Sequence, residues 1–212
     1  TRDGRVAVYM GDDSRFEHIY KFVSEGRVQP GGYAANRDLL DRGTLYAARF
    51  DADGRGRWLP LVAGKGGLAT QADVVINARG AADAAGATPM DRPEWIAVHP
   101  HKAGEVYCTL TNNSERGTDG KPATDAANPR AKNVFGHIIR WHEAGNQPTA
   151  TQFKWDIYAL AGHPERDGDK VYHTVVLAGP EGKVLARYRA THLGAATTAW
   201  AVAGDAPTVV DT

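Results

Sequence analysis

Short apolar runs alternating with turn residues set the rhythm of this chain. Val6-Ala7-Val8-Tyr9-Met10 stops at Gly11-Asp12-Asp13, and His18-Ile19-Tyr20-Lys21-Phe22-Val23 stops at Ser24-Glu25-Gly26. Residues 44–50 run into Asp51-Ala52-Asp53-Gly54, and a second run follows at 58–62. Further pairs stand at 95–98 with 106–110, at 134–141 with 153–160, and at 171–177 with 183–188, the last flanking Gly179-Pro180-Glu181-Gly182. The runs are rich in β-branched and aromatic residues, and the breaks hold Gly, Pro, Asp or Asn. The pattern predicts an all-β chain of sandwich, barrel or propeller type. A doubly wound parallel sheet would need helical patterns between the strands, and these are mostly missing.

One short helical insertion is expected near 70–85. Thr70 can cap it with Asp73 three residues on, and Gly86 can end it. The unit of strand, acidic or Gly turn and strand fits propeller blades of about 40–50 residues. The visible strand pairs suggest about three blades, fewer than the roughly four to eight of a closed ring. The expectation is therefore part of a β-propeller, incomplete or borrowing strands, whose open sheet edges favour self-association. Residues 112–133 read as a long, polar, exposed excursion with room for local disorder.

Composition narrows the function. Hydrophobic residues make up 42% of the 212 and charged residues 24%, a globular balance. The 25 basic and 25 acidic residues cancel, so there is no electrostatic case for nucleic acid. No apolar stretch approaches the roughly 18 residues of a membrane span. Cys108, the single cysteine, has no internal disulfide partner and sits in an apolar run, so an inert buried thiol is expected. The chain opens without an initiator Met or signal segment, and the expectation is a start inside a longer protein.

The sharpest local signal is Thr88-Pro89-Met90-Asp91-Arg92-Pro93-Glu94-Trp95. A Pro between Arg and Glu fixes the backbone at a strand start, where its missing N–H is not needed. A carboxylate held there can bind a hard cation, and a guanidinium can grip a phosphate with parallel hydrogen bonds. The plainer reading is an Arg–Glu surface pair. Asn112-Asn113 offers amide oxygens to calcium or forms a turn, with the turn favoured. Asp51-Ala52-Asp53-Gly54 lacks the spacing of a calcium loop and reads as a hairpin turn. The eight histidines show no zinc spacing, so each is expected to be a packed or half-exposed side chain.

Over residues 3–162 the chain resembles the PhoX family of alkaline phosphatases. The resemblance rests on Arg5-Val6-Ala7-Val8-Tyr9-Met10-Gly11-Asp12-Asp13, on Arg15-Phe16-Glu17-His18-Ile19-Tyr20-Lys21-Phe22-Val23, and on 40–50. It continues through 90–98, Glu105-Val106-Tyr107, Leu110-Thr111-Asn112-Asn113, Asn128-Pro129-Arg130 and Gly136-His137-Ile138-Ile139-Arg140-Trp141. It implies a six-bladed propeller, extracytoplasmic location, and hydrolysis of small phosphomonoesters at a cluster of calcium and ferric iron. It further implies that Glu17 and Glu94 are metal-binding carboxylates and that Arg92 is a catalytic contact to the substrate phosphate. Without it, Glu17 would read as a solvated carboxylate on an edge strand.

The resemblance stops near His163, which suggests a propeller portion over 1–163 and a β-rich tail over 164–212 in which Trp200 can pack. The family's upstream Trp-, Thr- and Glu-rich segment, which supplies part of the metal centre, has no counterpart here. Two other readings therefore stand beside the phosphatase: a non-catalytic propeller fragment, and, by fold analogy, a calcium-dependent propeller lactonase or esterase.

Overall fold

The computed structural model describes residues 1–161 and the backbone of two later strands, and the chain separates into two compact units, Thr1–Ala159 and Leu160–Thr212. Eight strands run through the first unit, the last ending one residue beyond it: β1 Arg5–Gly11, β2 Ile19–Arg27, β3 Gly43–Phe50, β4 Arg55–Pro60, β5 Pro93–Val98, β6 Glu105–Leu110, β7 His137–Glu143 and β8 Gln152–Leu160. They form one antiparallel sheet in the order β1-β2-β3-β4-β8-β7-β6-β5. The sheet consists of two four-stranded meanders, each the size of a propeller blade, joined where Arg55, Gly56 and Arg57 pair with Lys154, Phe153 and Gln152. Its two edge strands, β1 and β5, meet where Gly11 lies against Pro93, so the sheet is nearly closed. Among the described residues the strand pairs gather into two four-stranded meanders, because consecutive pairs hydrogen-bond to one another. In the second unit, β9 Thr174–Ala178 and β10 Val184–Arg189 form an antiparallel hairpin. Its turn at 179–182 and Trp200 lie outside the described residues.

Successive side chains of a strand point to opposite faces, and this sheet buries both. Ile19 and Ala48 face a core with Trp58, Trp141, Phe153 and Cys108, while their neighbours Tyr20 and Ala47 face a second core. The first core is aromatic. Trp58 and Trp141 lie 5.9 Å apart in edge-to-face contact, and Tyr9 packs on both.

Inside this core Lys21 of β2 and Glu143 of β7 form a buried ion pair at 3.2 Å. Lys21 also donates to the Ala150 carbonyl and lies 4.5 Å from the centre of the Trp58 ring. Glu143 accepts from the Tyr9 hydroxyl and the Trp58 indole N–H. Burial holds the Glu143 carboxyl above its ordinary range and lowers the Lys21 ammonium to about 8.

The second core is roofed by the insertion between β4 and β5. It is two helices rather than one: α2 Gln71–Ile76 and α3 Ala78–Ala85, with a separate short helix, α1 Gly32–Asn36, between β2 and β3. Thr70 and Asp73 form a reciprocal capping box, as expected. Asn77 leaves helical geometry and caps α3 by accepting from the Gly80 N–H, which explains the break. Gly86, in the left-handed region, ends α3. The small side chains of Ala81 and Ala82 let α3 sit close on the sheet.

Candidate functional site

Two segments far apart in sequence meet beside the β1–β5 seam. The Phe16 N–H donates to the Met90 carbonyl at 2.9 Å, and the Met90 N–H to the Glu17 carbonyl at 2.8 Å. Arg15 and Asp91 complete an antiparallel bridge. A Cβ on Gly11, the last residue of β1, would lie 2.6 Å from the Pro93 carbonyl oxygen, so only glycine permits this approach. Phe16 and Arg92 both adopt left-handed backbone conformations, with φ of 65° and 57°. Such residues persist where their surroundings over-determine them.

Glu17 is buried, 5% exposed, and is not the solvated edge carboxylate of the plainer reading. Its Oε2 accepts from the Tyr20 hydroxyl at 3.0 Å and the His18 N–H at 3.2 Å, and its Oε1 lies 3.4 Å from Arg79 Nε. Burial, then the Glu17 charge, pushes the Tyr20 hydroxyl well above its usual range. The helical insertion frames this corner. Arg79 and Asp83, one turn apart on α3, reach Glu17 and the His18 ring respectively.

Arg92 spans the other side. Its Nη2 donates to Asp13 Oδ2 at 3.0 Å and its Nη1 to Asn112 Oδ1 at 3.3 Å. Glu94 stands exposed on β5, followed by Trp95 at 73% exposure. A register shift between Pro93 and Ile96 lets these consecutive residues both face out. The backbone thus brings the Glu17 and Arg92–Glu94 segments together, while the side chains of Glu17 and Arg92 take separate partners. In place of the Arg92–Glu94 surface pair of the plainer reading, Arg92 pairs with Asp13.

Asp91, inside the same motif, is fully buried and anchors the following loop. It accepts from Arg116 Nε at 2.9 Å, Asn113 Nδ2 at 3.0 Å and Asn133 Nδ2 at 3.1 Å, and its own N–H donates to Asn128 Oδ1. Arg116 continues to the carbonyls of Pro89 and Ala123. The excursion at 112–133 is therefore exposed at its tip and locked at its root. Asn113 makes a turn, accepting from the Glu115 N–H, with its amide nitrogen committed to Asp91. The run of Asn113, Asn128 and Asn133 was the available sequence signal for this network.

Other candidates resolve simply. Asp51-Ala52-Asp53-Gly54 is the β3–β4 hairpin turn, with Asp51 paired to Arg49 and Arg57. Cys108 is buried, and burial pushes its thiol up to about 12. His99 accepts the N–H groups of His101 and Lys102 in a turn. Among the described residues no three His, Cys, Asp or Glu side chains gather as a cation site, so these residues alone do not fit a multinuclear metal centre.

An eight-stranded sheet of two blade-like meanders with few helices places the chain in the class of all-β, propeller-like proteins. The family model for alkaline phosphatase PhoX matches residues 1–186, and the chain belongs to that family. The match runs past His163, where the local motifs end, and takes in β9 and the start of β10 in the second unit. The structure of Pseudomonas fluorescens PhoX in complex with vanadate, a transition state analogue, is similar at 50% identity and a TM-score of 0.72. The similarity covers 86% of this chain and 32% of that one, so the chain spans about a third of that relative. No curated protein matches the chain.

Proposed function

We propose that this chain is part of a phosphomonoesterase in which Arg92 grips the substrate phosphoryl group. Glu17 and Glu94 offer carboxylates to hard cations. The observation that carries this reading is the backbone pairing of Phe16 and Glu17 with Met90, which sets the Glu17 segment beside the Arg92–Glu94 segment in a chain of this family. Calcium and ferric iron are the cations the family resemblance implies, and carboxylate oxygens suit both. When bound, such cations neutralise charge on phosphoryl oxygens. The described residues do not complete such a centre, and the roles assigned here stay with the chain's own groups. The substrates are small phosphomonoesters, met outside the cytoplasm.

A second reading, a non-catalytic propeller portion, is favoured by the same lack of a gathered ligand set among the described residues. One assay separates the two: hydrolysis of a chromogenic phosphomonoester at alkaline pH with calcium and ferric iron, repeated with a chelator. Chelator-sensitive turnover that falls in Glu94→Gln, with its fold retained, supports the phosphatase. No turnover from folded, metal-supplied protein supports the non-catalytic portion. Turnover unchanged in Glu94→Gln removes that carboxylate from the site.

A further inference from the structure

The Arg92 guanidinium is held at both ends by acceptors from different elements. Asp13 comes from the turn after β1 and Asn112 from the root of the loop after β6. Each holder is itself fixed. The Asp13 turn is closed by the Ser14 N–H on the Asp12 carbonyl and the Glu17 N–H on the Ser14 carbonyl. Asn112 precedes Asn113, which is tied to the buried Asp91. Arg92 sits between that Asp91 and Pro93, whose ring fixes its own φ. A guanidinium has five N–H donors, and these two contacts leave others for a ligand while the side chain stays 31% exposed.

We propose that Asp13 is a positioning residue that orients the Arg92 guanidinium before a phosphate monoester or inorganic phosphate arrives. The inference rests on the reading of Arg92 as the phosphate contact. A long, half-exposed Arg samples many rotamers, and fixing one beforehand removes an ordering cost from binding. Asp13 also acts in the opposite sense, because its carboxylate repels a phosphate dianion. Asparagine separates the two effects, since it keeps an acceptor oxygen and drops the charge.

The test titrates the 212-residue chain with inorganic phosphate, read by calorimetry and by the Arg92 Nε–Hε resonance. Asp13→Ala is expected to weaken binding about 3–10-fold, the factor for immobilising one rotamer-rich side chain at the moment of binding. Asp13→Asn is expected to bind phosphate as tightly as the parent or more tightly, because the hydrogen bond survives and the repulsion is removed. Arg92→Ala is expected to lose the binding. If Asp13→Ala binds phosphate as tightly as the parent or more tightly while Arg92→Ala loses it, Asp13 is a competitor or a bystander and the positioning role is overturned. If Arg92→Ala binds like the parent, or the parent binds none, the reading of Arg92 itself fails and the role of Asp13 with it.

Discussion

Arg116 donates from Nε to Asp91 Oδ1 at 2.9 Å, and neither side chain reaches solvent. This contact ties a long loop to the backbone that presents Arg92. The pair is viable in the interior because its other polar groups are also answered: Asn113 and Asn133 donate to Asp91, and the carbonyls of Pro89 and Ala123 accept from Arg116. A buried charge without such partners is strongly unfavourable.

Asp91→Ala should therefore cost far more than a lost surface ion pair. It leaves Arg116 as a buried cation whose remaining carboxylate neighbour is Asp125 at 3.6 Å, and it strands the two asparagine amides. The expected loss is about 3–5 kcal/mol, read from urea unfolding. Limited proteolysis should report new cleavage within 112–133, because the root of the loop is released. A variant with parental stability and an intact loop would show that the network does not hold it.

Gly11→Ala tests the seam between β1 and β5. The added methyl would lie 2.6 Å from the Pro93 carbonyl oxygen, with backbone rather than a flexible side chain to yield. The expected cost is about 1–3 kcal/mol, typical of overpacking. Amide shifts should concentrate at residues 92–94. Shifts confined to β1 would mean that the strands part without disturbing the Arg92 segment.

Much of this arrangement is legible in the sequence because its causes are local. Every strand is announced by a β-rich run and its following turn, and Thr70, Asp73 and Gly86 mark the helical insertion by cap chemistry. The break at Asn77 is less visible, since asparagine competes with the helix through a side-chain hydrogen bond that a periodic pattern does not register. Glu17 and Arg92 are marked by resemblance. Their environments are not, because burial of Glu17 depends on Arg79 and Tyr20, and the orientation of Arg92 depends on Asp13 and Asn112, all brought in by tertiary packing. Asp91 is the clearest case. It stands within the conspicuous motif, yet its role is set by loop residues more than twenty positions away.

Lys21→Met should destabilise the fold by about 3–5 kcal/mol, because it leaves the Glu143 carboxylate buried without its cation. Lys21→Met combined with Glu143→Gln should recover most of that loss. The amide oxygen can still accept from the Tyr9 hydroxyl and the Trp58 indole N–H. Urea unfolding of the parent, both single variants and the double variant gives the coupling. Additive losses would show that the two groups are not coupled through their charges.

His137 gives the fold an acid-side weakness with a definite sign. Its Nε2 lies 2.7 Å from the Ala127 carbonyl, which can only accept, so Nε2 carries the proton of a neutral ring and Nδ1 is left buried without a partner. Burial lowers its pKa below the ordinary 6.5; the nearby Arg130 adds to this, and the Ala127 carbonyl, Asp91 and Asp125 oppose it. The unfolded chain therefore binds a proton near pH 6.5 while the folded chain does not, and stability falls as pH drops below about 6.5 until the lower folded pKa is reached. His137→Gln is expected to keep the hydrogen bond to Ala127 through its side-chain N–H and to remove this titration. Unfolding free energies measured from pH 7.5 down to pH 5 should fall less steeply in the variant than in the parent. Equal slopes would mean that the folded protein accommodates a charged His137, and the buried neutral ring would not be a source of acid sensitivity.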